Sequence, residues 1–399
     1  MSKWALLVLV VAGVATGRAD DWPRWRGIKI DGITRETNWV WPEGGPQKIW
    51  QANVGTGFCA VAVSQGRLFT IGNSNNVETV WALDAKTGKK LWSHSYPSEI
   101  WPNLYEGGPN STPTVDGETV YTLGRHGDLI SFDAGTGKVI WEKQVHRHMG
   151  FEKPRWGFTS PALVYGDWII LNVGRYGAAF RKKDGSLVWA GSKRPSAYGT
   201  PMKMTVNGSE GFAIFTPDSI AGITAKDGLV HWEFPWKTQY EVNTIDPVVV
   251  GNRVFLSSPY GFGNGVLEVN GTNVTEVWKH KDFNQHFATP VLVEGHLYGI
   301  HGNDNNDARL KCVEFNTGRI KWSHEGLGLG NILASGDRMI LLSDRGEAGW
   351  AKISTERFEL QGKTQLLGGK CWTPPVLANG LLYCRNARGD LVCARLDQR

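Results

Sequence analysis

From residue 59 to the C-terminus the chain alternates short apolar runs with polar turns that contain glycine. Four runs make a unit, as in TPTV, VYTLG, LISFD and KVIW between Thr112 and Trp141. Period-two runs of this length, bounded by Gly and Asx turns, predict β-strands joined as hairpins. The unit repeats. One phrase closes on a tryptophan, as in ALDAKTGKKLW (Ala82 to Trp92) and FDAGTGKVIW (Phe132 to Trp141), and returns at Trp189, Trp232, Trp278 and Trp322. A second phrase precedes each one: Ser or Thr, Pro, an apolar pair, Gly, then an apolar run. It starts at Ser111, Thr159, Gly199, Ile245, Ala288 and Trp372, with weaker copies from Cys59 and Ile332. Eight units result.

A four-stranded antiparallel sheet cannot bury both faces alone, so repeated sheets must stack on one another. A closed stack is a β-propeller. The pattern therefore predicts an all-β, eight-bladed propeller. Gly88 and Gly137 fall between the third and fourth strands, where a turn needs positive φ. The tryptophans fall on the outermost strand, where a large ring can cover the next sheet. Trp50, Trp92, Trp141, Trp189, Trp232, Trp278 and Trp322 are assigned this docking role and no chemistry. The last unit ends at DLVCARLDQR without an outer tryptophan strand. PQKIWQA, around Trp50, supplies it, so an N-terminal strand should complete the blade that holds Tyr383 and Val392. Trp22 precedes the ring and is expected to matter less to stability than Trp141.

The first residues read differently. Lys3 is followed by an apolar stretch from Trp4 to Ala15 and by small residues at Gly17 and Ala19. This is the pattern of a secretory leader cut after Ala19. The run is short for a bilayer span, and no Cys follows it to carry a lipid anchor. The expected organisation is a leader over 1–19, an N-terminal segment with the closing strand over 20–58, and the propeller over 59–399. The expected location is the periplasm or the medium, with no integral membrane segment once the leader is gone. Export permits disulfides. The five cysteines are odd in number, and Cys384 and Cys393 would sit opposite each other if the hairpin turned at Arg388-Gly389. A bridge and a pair of small buried side chains both fit that placement.

Composition narrows the partners. Charged residues make up 20% of the chain and the net charge is +5. No Lys/Arg run interleaved with aromatics occurs, which argues against nucleic acid.

The phrase Ala-x-Asp-x-x-Thr-Gly-Lys-x-x-Trp, best matched at Ala82 to Trp92, resembles the tryptophan-docking repeat of the pyrroloquinoline-quinone (PQQ)-like propellers. That superfamily includes quinoprotein alcohol dehydrogenases and BamB-type subunits of the outer-membrane β-barrel assembly machine. DWPRWRGIKIDGITRE, WGFTSPALV, HFATPVLV and GKCWTPPVLANGLLYCRNARGDLVC also resemble exported PQQ-like repeat proteins of planctomycete-type bacteria. The resemblance implies the fold. For activity it implies two alternatives, because one fold hosts many functions.

The chemistry-bearing residues favour one of the two. Quinoprotein alcohol dehydrogenases pair vicinal cysteines against the cofactor and use Ca²⁺ ligands and a catalytic Asp. Here Cys59, Cys312, Cys371, Cys384 and Cys393 are isolated, and no C-x-x-C-H haem site exists. His146 and His148 lack a third ligand for a metal. Asp304 and Asp307 lie in GNDNNDA, which suits either Ca²⁺ or an Asx-rich turn. The expected function is a binding or scaffolding module in envelope protein assembly. The alternative is a PQQ-dependent alcohol dehydrogenase carrying PQQ and Ca²⁺. Expected partners are an envelope or periplasmic protein, or a small anion, bound by a monomer.

Connectivity says where. Blade-to-blade connections and second-to-third turns share one end, and these loops are long and varied: 96–111, 146–158 and 258–265. Variable loops on a rigid scaffold are the usual seat of binding. Trp156, Asn243, His286, Cys371 and Trp372 precede innermost strands and should converge near the axis. His126, Arg345 and Arg388 precede the turn glycine in RHGD, DRGE and ARGD. With Arg175 they could ring a pocket for a carboxylate, or stand as solvated turn residues.

Overall fold

Eight four-stranded antiparallel sheets follow one another in a computed structural model that describes residues 20–398. The leader assigned to 1–19 lies outside the described residues. Blades 1 to 7 occupy 62–97, 114–144, 163–190, 202–235, 248–280, 291–324 and 331–365. Blade 8 takes Val376–Ala378, Leu381–Arg385 and Asp390–Arg395 from the C-terminus and Gln47–Asn53 from the N-terminus. First strands of neighbouring blades touch, as Met202–Val206 touches Val248–Val250, which sets them around a central axis. The propeller and its N-terminal closing strand are those the repeats predict. Gln51 lies opposite Val392, and Trp50 opposite Cys393. Among the described residues, no helix is long and apolar enough to cross a membrane.

The repeat's signature residues meet at one joint. Asp84 accepts bonds from the backbone N–H and the hydroxyl of Thr87, both at 2.8 Å, and Asp133 does the same with Thr136. These Asx turns bring Gly88 and Gly137 to φ of 69° and 74°. Each glycine then serves a second purpose. A Cβ on Gly137 would lie 2.5 Å from the Trp92 ring, because that indole lies flat on the turn of the next blade. Trp50 sits on Gly88, Trp141 on Gly185, Trp189 on Gly228 and Trp278 on Gly318 in the same way. The indole N–H also reaches across the joint. Trp92 donates to Ala134 O at 2.9 Å, Trp141 to Lys182 O at 2.7 Å and Trp322 to Ser354 O at 2.8 Å.

A β-bulge aims each ring. Pairing between third and fourth strands slips just before the tryptophan, for example between Ala82 and Leu83. The slip turns Trp92 inward and leaves its neighbour Leu91 exposed. Residues facing the ring on the third strand are mostly small: Ala82, Ser131, Ala179, Cys312 and Cys393. Two of the five cysteines are explained by this need for space. All five are buried and unbridged. Cys384 pairs with Val392 and Cys393 with Tyr383, so the two do not oppose each other as the turn suggested; they face opposite sides of the sheet. Trp232 departs from the rule. It faces Gly222, drops onto that glycine, and its N–H finds no acceptor.

Joint 7–8 has no docking tryptophan. Gly362 stands in its place opposite Trp350, and Trp41 fills the gap, with its ring 2.9 Å from where a Gly362 Cβ would be. Trp39, fully buried, donates to Ser335 Oγ at 2.7 Å under the Arg338 guanidinium, which lies 3.9 Å from its ring centre. The N-terminal segment thus seals the joint before its next strand closes blade 8.

The same segment plugs the axis from the tight-turn end. Trp22 bridges Val63 of blade 1, and Pro23 O accepts from Val115 N of blade 2. Trp25 and Ile30 join the apolar cluster of blades 3 and 4 with Leu163 and Met202. Trp25 Nε1 donates to Asp246 Oδ2 ahead of blade 5 at 2.7 Å, and Arg26 donates to Thr289 O and Pro290 O ahead of blade 6 at 2.6 and 2.9 Å. Ile33–Thr34 runs parallel to Asn331–Ser335 of blade 7. Glu36 accepts from Gly380 N of blade 8 at 2.8 Å. The segment therefore touches all eight blades. Trp22 is 4% exposed against 7% for Trp141, so it is packed as closely as a docking tryptophan although it precedes the ring.

The cradle sets a contrast between two turn glycines. Gly137→Ala must take a left-handed conformation, costing about 1–2 kcal/mol, and also displace Trp92, about 1–3 kcal/mol more. Gly117, at φ 59°, has nothing within 4 Å of its missing Cβ, so Gly117→Ala should show only the first cost. Chemical denaturation of both variants checks this; equal losses would mean that Trp92 does not rest on Gly137.

Candidate functional site

At the loop end, nine rings run in contact across the mouth of the axis. From Trp101 the arc passes to Trp156, Tyr105, Phe58, Trp372, Phe287, His286, Tyr260 and Tyr240, with centroid separations between 4.5 and 5.8 Å. Phe58, Phe287 and Trp372 occupy one place in the repeat, four residues ahead of the innermost strands of blades 1, 6 and 8. That place aims a side chain at the axis, so the three meet there. The other rings come from the blade 1–2, 2–3, 4–5 and 5–6 loops and from the hairpin turn within blade 5.

A belt of hydrogen bonds holds these loops. Ser and Thr hydroxyls close to the Pro of the repeat phrase tie several neighbouring blades together. Ala60 N donates to Thr112 Oγ1 at 3.0 Å, Thr114 Oγ1 to Ala162 O at 2.8 Å and Thr159 Oγ1 to Tyr198 O at 2.8 Å. Asp246 takes the Ser/Thr place ahead of blade 5 and accepts from Thr200 N at 2.7 Å. Between blades 8 and 1 the work falls to Arg385, buried without a carboxylate. Its guanidinium donates to Cys59 O, Thr70 Oγ1, Ile71 O and Gly55 O at 2.8–2.9 Å.

Cations ride on the arc. Arg125 lies over Trp101 and Tyr105, Arg155 over Trp156, and the Lys370 ammonium 4.3 Å from the Trp372 ring. Such contacts are worth about 0.5–2 kcal/mol. At the outer ends of the arc the surface opens. Trp101, Tyr240 and Tyr260 are exposed, and Leu104 is 88% exposed at φ 66°. Between the 3, 4 and 5 blade loops lies a groove of about 200 Å³, lined by Arg155, Ser196, Tyr198, Lys237 and Tyr240 among others. The arrangement can bind flat or apolar groups by stacking and can hold nearby negative charge.

The sequence-predicted residues divide into three sets. Trp156, His286 and Trp372 belong to the arc. Asn243 and Cys371 are buried beneath it: Asn243 Nδ2 donates to Thr216 O at 2.9 Å and Trp236 O at 3.1 Å, and Cys371 N donates to Asp344 O at 2.8 Å. The basic residues stay apart. Arg175 pairs with Asp218 at 2.7 Å and Glu233 at 3.0 Å, His126 lies 3.0 Å from Lys153, and Arg345 and Arg388 are exposed turn residues. No hydrogen bond or ion pair joins any two of the four. Phe58, Phe287, Tyr105, Trp101, Tyr240 and Tyr260 were not singled out from the sequence; the aromatic content of otherwise polar loops was the available signal.

A PQQ–Ca²⁺ cradle does not fit this mouth. Trp372 occupies it with Phe58 on one side and Phe287 on the other. Among the described residues, no three His, Cys, Asp or Glu side chains converge to hold a metal ion. His146 Nδ1 sits 2.7 Å from Phe151 O, and Asp304 and Asp307 cap their own turn, with Asp307 Oδ1 accepting from Asn303 N at 2.9 Å.

Comparison with known proteins agrees with the geometry. The family model described as "Outer membrane protein assembly factor BamB" matches residues 76–324. The chain is 22% identical over 331 residues to outer membrane protein assembly factor BamB of Yersinia pestis, covering 77% of this chain and 81% of that one. It superposes on the crystal structure of BamB from Moraxella catarrhalis with TM-score 0.63 at 14% identity, covering 88% of this chain and 99% of that one. The quinohemoprotein alcohol dehydrogenase from Comamonas testosteroni gives TM-score 0.63 at 13% identity, covering 96% and 81%. Both structural likenesses speak to fold alone.

His286 gives the arc a pH signature. Burial pushes its pKa down to about 4, and burial does the same to His301. A histidine held below its unfolded value near 6.5 contributes stability that is complete above that pH and lost as pH falls toward 4. Melting temperature should therefore decline between about pH 6.5 and 4, and His286→Gln should decline less steeply. A His286→Gln profile parallel to the parent would show the imidazole to be solvated.

Proposed function

Because this chain belongs to the family described as outer membrane protein assembly factor BamB, we propose that it acts as an exported binding scaffold in envelope protein assembly. It would engage a polypeptide partner with the loop end of the ring. The observation that carries the reading is the asymmetry of the two ends. The tight-turn end is closed by the N-terminal plug, whereas the loop end presents exposed Trp101, Leu104, Tyr240 and Tyr260 beside Arg155 and Lys237. Aromatic and arginine side chains on a rigid rim are the composition of binding hot spots. Arg345 and Arg388 extend the basic character of this end and would favour an acidic segment in the partner. PQQ-dependent alcohol oxidation is the weaker reading, since the axial mouth is filled by rings.

A photo-crosslinking residue at Leu104 should trap an envelope assembly component identifiable by mass spectrometry, whereas one at Lys29, on the plugged end, should not. Trp101→Ala should weaken that capture by about tenfold or more with the melting temperature unchanged. Equal adducts at both ends, or capture indifferent to Trp101, would contradict the assignment. Dye-linked alcohol oxidation restored by added PQQ and Ca²⁺ would replace it.

A further inference from the structure

The start of the described chain meets a buried carboxylate. Asp20 N donates to Glu36 Oε1 at 3.1 Å. Glu36 is 2% exposed and also accepts from the backbone N–H groups of Asn379 and Gly380, in the first turn of blade 8. Among the described residues, no Lys, Arg or His side chain pairs with it. Its surroundings add negative charge. Burial raises the pKa of Glu36 against the pull of the three backbone N–H groups, the Asp20 carboxylate adds a smaller rise, and Asp21 is held nearby by Asn379 Nδ2, Ser64 Oγ and Gln65 N. The Tyr383 hydroxyl, which donates to Ala85 O, also faces Glu36, and Lys29 and Arg35 line the same pocket as Asp20. Burying a carboxylate among carboxylates without a cation is costly.

We propose that leader removal supplies the missing cation. Hydrolysis of the Ala19–Asp20 peptide bond by a leader peptidase adds water across it. The hydroxyl goes to the Ala19 carbonyl carbon, which leaves as a carboxylate, and the protons go to the Asp20 nitrogen, which becomes an α-ammonium. The nitrogen that was a single neutral donor to Glu36 is then a positive group with three donors. The new ion pair joins Asp20 to Glu36, the two ends of the axial plug, and both to the blade 8 turn at Asn379–Gly380. Processing thus locks the plug, and does so only after export. The ammonium's pKa in the fold rises above its unfolded value near 7.7–8.0. The stability it adds is complete below about pH 7.7 and is lost as pH rises through the raised value.

The test compares the exported protein with a variant carrying one extra Gly between Ala19 and Asp20, which moves the new terminus by about 3.8 Å. Mass spectrometry should find Asp20 as the parent's first residue and the added Gly as the variant's. At pH 8 the parent's α-amine should react with an amine reagent about four- to fivefold more slowly than the variant's, the effect of a pKa raised by one unit from 7.7–8.0. The parent should melt higher at pH 7, and the advantage should disappear by about pH 10. Glu36→Gln should bring the parent's amine to the variant's reactivity; if that substitution prevents folding, the parent and Gly variant decide the question. Equal amine reactivity and melting in those two, or a parent terminus other than Asp20, would overturn the proposal.

Discussion

One indole lying on one glycine is the contact from which the ring is built. A four-stranded blade leaves a face uncovered, and the outer tryptophan covers its neighbour's only if nothing stands between. The Thr-Gly turn gives that clearance, the bulge turns the ring toward it, and the indole N–H bonds to the carbonyl beside it. A side chain on Gly137 would collide with Trp92 at 2.5 Å. Ring closure adds a further demand. Eight joints must all be made, five of them by an indole on a turn glycine, and 7–8 and 8–1 draw on parts of the chain far apart in sequence.

The N-terminal segment and Arg385 meet that demand. Trp39 and Trp41 take over where Gly362 leaves joint 7–8 without its indole, and Gln47–Asn53 completes blade 8. Arg385 binds blade 8 to four acceptors around the start of blade 1. The plug of the axis is held by the same segment, through Arg26 and Asp246 in particular. A buried guanidinium bound to carbonyls is strongly stabilising once in place, because removing it strands several acceptors at once.

Much of this was legible in the sequence, because a repeat announces itself. Eight units, the docking tryptophans and the strand missing from the last blade could be read from Trp50 and DLVCARLDQR. The plug could not, since it belongs to no repeat and its partners are scattered from Val63 to Gly380. Its trace is a departure from the pattern: Asp246 stands where five other units carry Ser or Thr before Pro, and it receives Trp25 from DWPRWRG. The site was partly legible. Trp156, His286 and Trp372 were found from their place before innermost strands, but contact among rings from seven separate loops depends on loop paths that composition does not encode. The cysteine pair was misplaced by one residue, which in a strand puts a side chain on the other face.

The account makes the N-terminal segment part of the propeller, as plug, joint and closing strand together. Its most direct test is thermal unfolding of the exported protein lacking residues 20–53. The expected result is a large fall in melting temperature with aggregation, since the deletion opens the axis, empties joint 7–8 and bares the edge of Asp390–Arg395. A deletion protein that melts as the full chain does, and stays monodisperse, would contradict it.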